Sequence, residues 1–192
     1  MRTLAFASSN SHKLKEAQEI LSEWKLVSPA DLGILDFHPE ETGTTFLENA
    51  RIKSTALFQL TRLPSIADDS GLEVYALGGE PGVYSARYGG ENLSDRQRAE
   101  RILTRMQGVR DRRARFQCVI YFVSELGERA FTGTVEGIIG ESYVEGNGFG
   151  YDPIFFYPPL NKCFSELTPQ EKNKISHRAR ALREFAESSI DF

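Results

Sequence analysis

The chain has only two cysteines among 192 residues, and they stand far apart: Cys118 within the strand-like run Phe116 to Phe122, and Cys163 well downstream. A CxxC metal site and a disulfide framework are both excluded by that count and spacing, and a reduced compartment fits. Long apolar runs are missing as well; nothing reaches the roughly 18 residues of a membrane-spanning helix, so no membrane partner is expected. Nor is there a signal-peptide pattern, because Met1-Arg2-Thr3 leads directly into a short strand and then polar residues, and a cytoplasmic location is expected. Internal repeats and low-complexity linkers are absent, so residues 1–192 are expected to form a single domain with two lobes. Charge of one sign is not in excess: 23 basic against 27 acidic side chains give a net −4. That balance argues against a nucleic-acid coat protein and no nucleic-acid partner is expected, although local basic clusters can still hold a nucleotide.

What is present is acidic. Ser65-Ile66-Ala67-Asp68-Asp69-Ser70-Gly71-Leu72 reads as a short apolar strand that delivers two adjacent carboxylates to a loop and stops at a glycine. Such a step suits a divalent cation and the water it activates, although Asp-Asp-Ser-Gly is also ordinary turn chemistry. Near the N-terminus, Thr3 to Ala7 reads as a buried strand, followed by Ser8-Ser9-Asn10-Ser11-His12-Lys13 and a helix with Leu14, Ala17 and Leu21 on one face. A polar loop at a helix start points backbone N–H groups outward, and Lys13 adds a cation, which fits a polyphosphate; Asn10 as a cap and Lys13 as a solvated lysine is the alternative.

Glu40-Glu41 lies just ahead of a second helix, with capping-box spacing at Thr45 and Glu48 and apolar positions Phe46, Ala50, Leu57 and Leu60. The pair either stabilises the helix dipole or supplies further oxygen ligands to a cation near Asp68 and Asp69. Glu145 to Pro153 is glycine-rich, with Phe149 and Tyr151 offering flat faces to a base, or else a hairpin with exposed aromatics. It is not a dinucleotide fingerprint, since the spacing differs and a strand-like run follows where a helix should open. Thr168-Pro169-Gln170-Glu171 starts another helix, and a further one begins near Ser176 with Ala179, Leu182, Phe185 and Ala186 inward. Lys172, Lys174, His177, Arg178, Arg180 and Arg183 form either a solvated basic face or a contact for phosphate or a base edge. Ser94 to Gln97 is one more capping box, strand pairs are expected around 116–124 and 129–139, and Arg110 to Arg115 reads as a solvated loop. The fold class is therefore mixed α/β.

In order and spacing these stretches resemble one family, the Ham1-type inosine triphosphate pyrophosphatases, also called dITP/XTP pyrophosphatases. The resemblance runs from Ala5 to about Ala186. It rests on Ala7-Ser8-Ser9-Asn10 with Lys13; Glu40-Glu41-Thr42-Gly43 with Thr45-Phe46 and Glu48-Asn49-Ala50; Ala67 to Leu72; Leu77-Gly78-Gly79 with Pro81 to Arg87; Gly148 to Pro153; and Ile175 to Arg178. Ser8 stands where the family usually has threonine, and Asn147 where it usually has glycine. The resemblance implies an elongated mixed β-sheet with flanking helices, two lobes around a central nucleotide-binding cleft, and a homodimer. It implies Mg²⁺-dependent hydrolysis of ITP, dITP and XTP to the monophosphate and pyrophosphate. By the same resemblance Asp69 is the general base and a metal ligand, with Asp68 and Glu41 beside it on the metal. Ser8, Ser9, Asn10, Ser11, His12, Lys13 and Ser70 hold the triphosphate, with Lys172 reaching phosphate or base. Phe149, Gly150, Tyr151 and Asp152, with His177 and Arg178, form the base pocket.

Two other readings were weighed against this one. An acyl hydrolase built on Ser70 would need a G-x-S-x-G elbow, and the flanking residues are Asp69 and Gly71. A non-catalytic nucleotide-binding module would keep Phe149 but could dispense with the carboxylates.

Overall fold

The computed structural model describes residues 2–188. The chain runs β1 (Arg2–Phe6), α1 (Ser11–Ile20), β2 (Trp24–Val27), α2 (Phe46–Thr61), β3 (Ser65–Val74), α3 (Asp95–Arg105), β4 (Arg113–Ser124), β5 (Gly127–Ile139), β6 (Phe155–Tyr157), β7 (Lys162–Cys163), α4 (Pro169–Ile175) and α5 (His177–Glu187). Helices begin where the sequence offers a cap. Thr45 with Glu48, Ser94 with Gln97 and Thr168 with Glu171 each close the reciprocal capping box expected of them, satisfying amides that α2, α3 and α4 would otherwise leave unpaired. Ser176 breaks the chain between α4 and α5.

The strands form one seven-stranded sheet in the order β2-β1-β3-β4-β5-β6-β7. β1 pairs in parallel with β2 and β3, each reached through a helical crossover, while β6 is antiparallel to both β5 and β7. The mixed α/β expectation holds, with helices flanking the sheet.

The chain divides into two compact units, residues 1–69, 118–133 and 177–192 in the first, and 70–117 and 134–176 in the second. The first has apolar cores on the two faces of its part of the sheet. Leu4, Phe6, Ile66, Ile120 and Phe122 pack with Ala17 of α1 and Leu182 and Phe185 of α5, while Ala5, Ala7 and Ala67 pack with Leu57 of α2. The second unit gathers Leu72, Val74, Ala99, Ile102, Phe116, Phe155 and Phe164 into its own core. Alternation of faces along β1 and β3 follows from the two-residue repeat of a strand.

Four local expectations are corrected. β3 does not end at the acidic pair but runs unbroken through Asp68, Asp69, Ser70 and Gly71 to Val74. The 110–115 stretch is not wholly a solvated loop: β4 starts at Arg113, and Arg112 donates to the carbonyls of Met106 and Ile139, at 2.9 and 2.7 Å. Leu60, in the last turn of α2, faces solvent and is 65% exposed. On α5, Ala186 is exposed, and the buried alanines are Ala179 and Ala181.

Candidate active site

In the first unit the parallel pairing of β1 with β3, Ala5 opposite Ser65 and Phe6 opposite Ile66, sets the chemistry. It brings the loop leaving β1 alongside the acidic pair of β3, just past the carboxyl end of the parallel pairing, where ligands usually bind. Ser8 Oγ accepts from the Asn10 amide at 3.1 Å, and Asn10 Oδ1 accepts from the amides of His12 and Lys13 at 3.0 and 3.1 Å. Asn10 is thus the cap of α1, and two of the amides expected to point at a ligand are already engaged by its side chain. A cavity of about 230 Å³ lies beside this loop, lined by Ser8 to Ser11 on one side and by Ile34 and Phe37 on another.

Adjacent residues of a strand face opposite ways, so Asp68 and Asp69 enter different surroundings. Asp68 is completely buried: its Oδ1 accepts from Lys13 Nζ at 2.5 Å, and its Oδ2 accepts from Arg178 Nε at 2.7 Å and from the Cys118 thiol at 3.2 Å. Arg178 turns its other end to Glu16. Burial alone would raise the Asp68 carboxyl, but the Arg178 guanidinium and Lys13 ammonium outweigh it and hold Asp68 well below the usual carboxylate range. α5 reaches this position because Gly133 of β5 carries no side chain; a Cβ there would lie 1.9 Å from the His177 carbonyl oxygen. His177 and Arg178 are accordingly buried, not part of a solvated face.

Asp69 points toward α2. Lys53 Nζ donates to Asp69 Oδ1 at 2.6 Å and lies 3.3 Å from Glu41 Oε1, so one ammonium bridges two carboxylates. Glu41 is held there by the chain that follows it: the Gly43 amide donates to Asn49 Oδ1 at 2.9 Å, and a Cβ on Gly43 would come within 2.6 Å of that oxygen. Burial and the neighbouring Glu41 carboxylate push Asp69 above its ordinary value, against the pull of Lys53 and Lys13. Among the described residues no three His, Cys, Asp or Glu side chains group closely enough to hold a metal ion by themselves. Asp68 is directed away from the Asp69 and Glu41 pair, and what the structure brings together is those two with Lys53.

In the second unit, the loop from Gly148 to Asp152 is tightly folded. Asp152 Oδ2 accepts from the Phe149 amide at 3.0 Å and from Lys172 Nζ at 2.6 Å, and that ammonium also sits 4.8 Å from the centre of the Phe149 ring. Gly148 is left-handed, and a Cβ on it would lie 2.2 Å from the same carboxylate oxygen, so only glycine permits the fold-back. Tyr151 does not offer an open face: its ring is buried in the core and its hydroxyl donates to the Ser85 carbonyl at 2.8 Å. Phe149 keeps partial exposure.

Across residues 4–188 the chain matches the sequence profile of the Ham1 family. The chain belongs to the Ham1 family. A dITP/XTP pyrophosphatase of Leptospira biflexa is 52% identical over 97% of this chain and 96% of its own length. The solved Ham1 protein structures from Staphylococcus aureus and Coxiella burnetii superimpose with a TM-score of 0.87 each, at 44% and 42% identity; the first covers 96% of both chains and the second 97% of both.

Two residues of this candidate site, Lys53 and Glu16, stand outside every stretch that the sequence singles out. Lys53 lies on the buried stripe of α2 with Phe46, Asn49, Ala50 and Leu57. A lysine recurring at core spacing in an otherwise amphipathic helix was the available signal, because a buried ammonium requires a carboxylate partner. Glu16, the second partner of Arg178, had no comparable signal.

Proposed function

We propose that this chain hydrolyses dITP, XTP and ITP to the nucleoside monophosphate and pyrophosphate, removing deaminated purine nucleotides from the pool. The observation that carries the reading is the Asp69, Lys53, Glu41 cluster, in which a carboxylate raised by burial sits beside a second carboxylate and a cation. In this reading Asp69 takes the proton of the attacking water as its oxygen bonds to the α-phosphorus. The bond from that phosphorus to the bridging oxygen breaks, and pyrophosphate leaves with the electron pair. Raising the basicity of a carboxylate by burial brings it closer to the range useful for such a step. Lys13 and the Ser8 to His12 loop take the phosphate oxygens, with Ser70 as a further hydroxyl contact.

The donor set fits Mg²⁺, which usually binds through one or two carboxylates and completes its shell with water and substrate phosphates. Asp69 and Glu41 already bracket a positive charge, that of Lys53, and would hold the ion. Bound Mg²⁺ would neutralise charge on the phosphate oxygens. Asp68 is assigned a different task, since both of its oxygens are engaged: with Arg178 and Glu16 it fixes Lys13. Phe149 takes a face of the purine, with Lys172 and Asp152 at its edge. His177 and Arg178 are assigned to support of the phosphate-binding side. The cytoplasmic location and homodimer belong to the same proposal; among the described residues no helix is long and apolar enough to cross a membrane.

The test is product analysis in ¹⁸O-labelled water with Mg²⁺, using XTP, dITP and ITP against ATP and GTP. Label in the monophosphate, with pyrophosphate as first product from the deaminated purines, is the expected result. Orthophosphate with a diphosphate left behind, or equal rates on ATP, would overturn it.

A further inference from the structure

Gly150 is left-handed at φ +62, and with no Cβ its φ can take either sign, so the Phe149–Gly150 peptide plane is fixed by its hydrogen bonds rather than by steric restriction. Asp95, the first residue of α3, supplies the one that comes from outside the loop. Its Oδ2 accepts from the Gly150 amide at 2.9 Å, across 55 residues of sequence, while on the other edge of the same peptide the Phe149 carbonyl accepts from the Asp152 amide at 3.2 Å. Asp95 is itself braced: its Oδ1 lies 3.3 Å from Nη1 of Arg98, a buried guanidinium whose Nη2 donates to the Glu91 carbonyl.

The Gly150 N–H is therefore spent within the protein, and through it Asp95 ties the loop that carries Phe149 to the start of α3. We propose that Asp95 is a positioning residue for base recognition, selecting one orientation of the Phe149–Gly150 peptide and with it the ring that receives the purine. This rests on the assignment of Phe149 to the base made above. Asp95 touches neither substrate nor reacting atoms in this account, and acts only through the Gly150 amide.

Asp95→Ala removes the acceptor, and loss of a charge-assisted hydrogen bond that organises a binding loop weakens binding by about tenfold. KM for XTP should rise by about that factor with kcat within about twofold of wild type, and exchange of the Gly150 amide with solvent should accelerate about tenfold or more. Asp95→Asn keeps a side-chain carbonyl able to accept the same N–H and should restore both. Asp95→Glu keeps the negative charge at the start of α3 and so protects the helix, but displaces the carboxylate by one methylene; it should melt like wild type and still show the raised KM. Unchanged KM and unchanged Gly150 exchange in Asp95→Ala would overturn the inference, as would a defect in kcat alone. If wild type releases pyrophosphate from XTP while Asp95→Ala is silent, only the positioning role falls. If wild type does not hydrolyse XTP, the assignment of the base site falls and this inference with it.

Discussion

Arg178→Ala separates an internal counter-ion from a base reader. The Arg178 side chain is 2% exposed and that of its partner Asp68 is fully buried, so truncation takes the guanidinium away from a buried carboxylate and from Glu16. Removing one partner of a buried ion pair costs about 3–5 kcal/mol. In a chain of this size 1 kcal/mol moves the melting temperature by about 2–4 °C, so a fall of about 6–20 °C is expected by calorimetry at neutral pH. The pH dependence has a definite sign. The folded Asp68 carboxyl lies below its ordinary 3.8, so its contribution is fully present above that value and is lost as pH falls through the lower folded value. Without Arg178 the folded value rises, and acid unfolding should begin at higher pH than in wild type. Pairing Arg178→Met with Asp68→Asn should destabilise less than the sum of the single changes, because the two share one interaction. Activity on XTP and ATP should fall by a common factor. A melting temperature within about 2 °C of wild type, together with a loss confined to XTP, would refute the counter-ion role and return Arg178 to the base.

Glu41→Gln should raise the Mg²⁺ concentration for half-maximal rate more than it lowers the rate at saturating Mg²⁺, since one charged oxygen becomes neutral without a change of shape; an unmoved titration would leave Glu41 outside the metal site. The thiol of Cys118 is pushed well above its ordinary value by burial and by Asp68, and Cys163 is raised by burial, so neither should react with a disulfide reagent in the native state at pH 8 and both should react in denaturant; rapid native labelling of Cys118 would contradict its place against Asp68.

Local signals carried most of the fold and only part of the site. Thr45, Ser94 and Thr168 announce their helices because capping is settled within four residues of chain. The run from Asp68 to Gly71 does not announce a strand, since aspartate and glycine are poor strand formers and two carboxylates do not belong in a sheet without counter-charges. Those counter-charges reach Asp68 from Lys13 and Arg178, 55 and 110 residues away, and Asp69 from Lys53, 16 residues away, and no local pattern records that meeting. The same reason hid the buried state of Arg178, whose neighbours Lys174, Arg180 and Arg183 read as a solvated basic face. The opposite facing of Asp68 and Asp69 was legible in principle, because it needs only the two-residue repeat once the strand is extended through them.

The most direct test of the account is Asp69→Asn, measured for both turnover and binding. The amide is nearly isosteric and can still accept from Lys53, but it cannot take a proton from water, so kcat for XTP should fall by roughly 10²–10⁴-fold. Binding of a non-hydrolysable XTP analogue with Mg²⁺ should stay within about tenfold of wild type, because a single one of the two carboxylates is neutralised. Turnover within about tenfold of wild type at saturating Mg²⁺ would show that Asp69 is not the base.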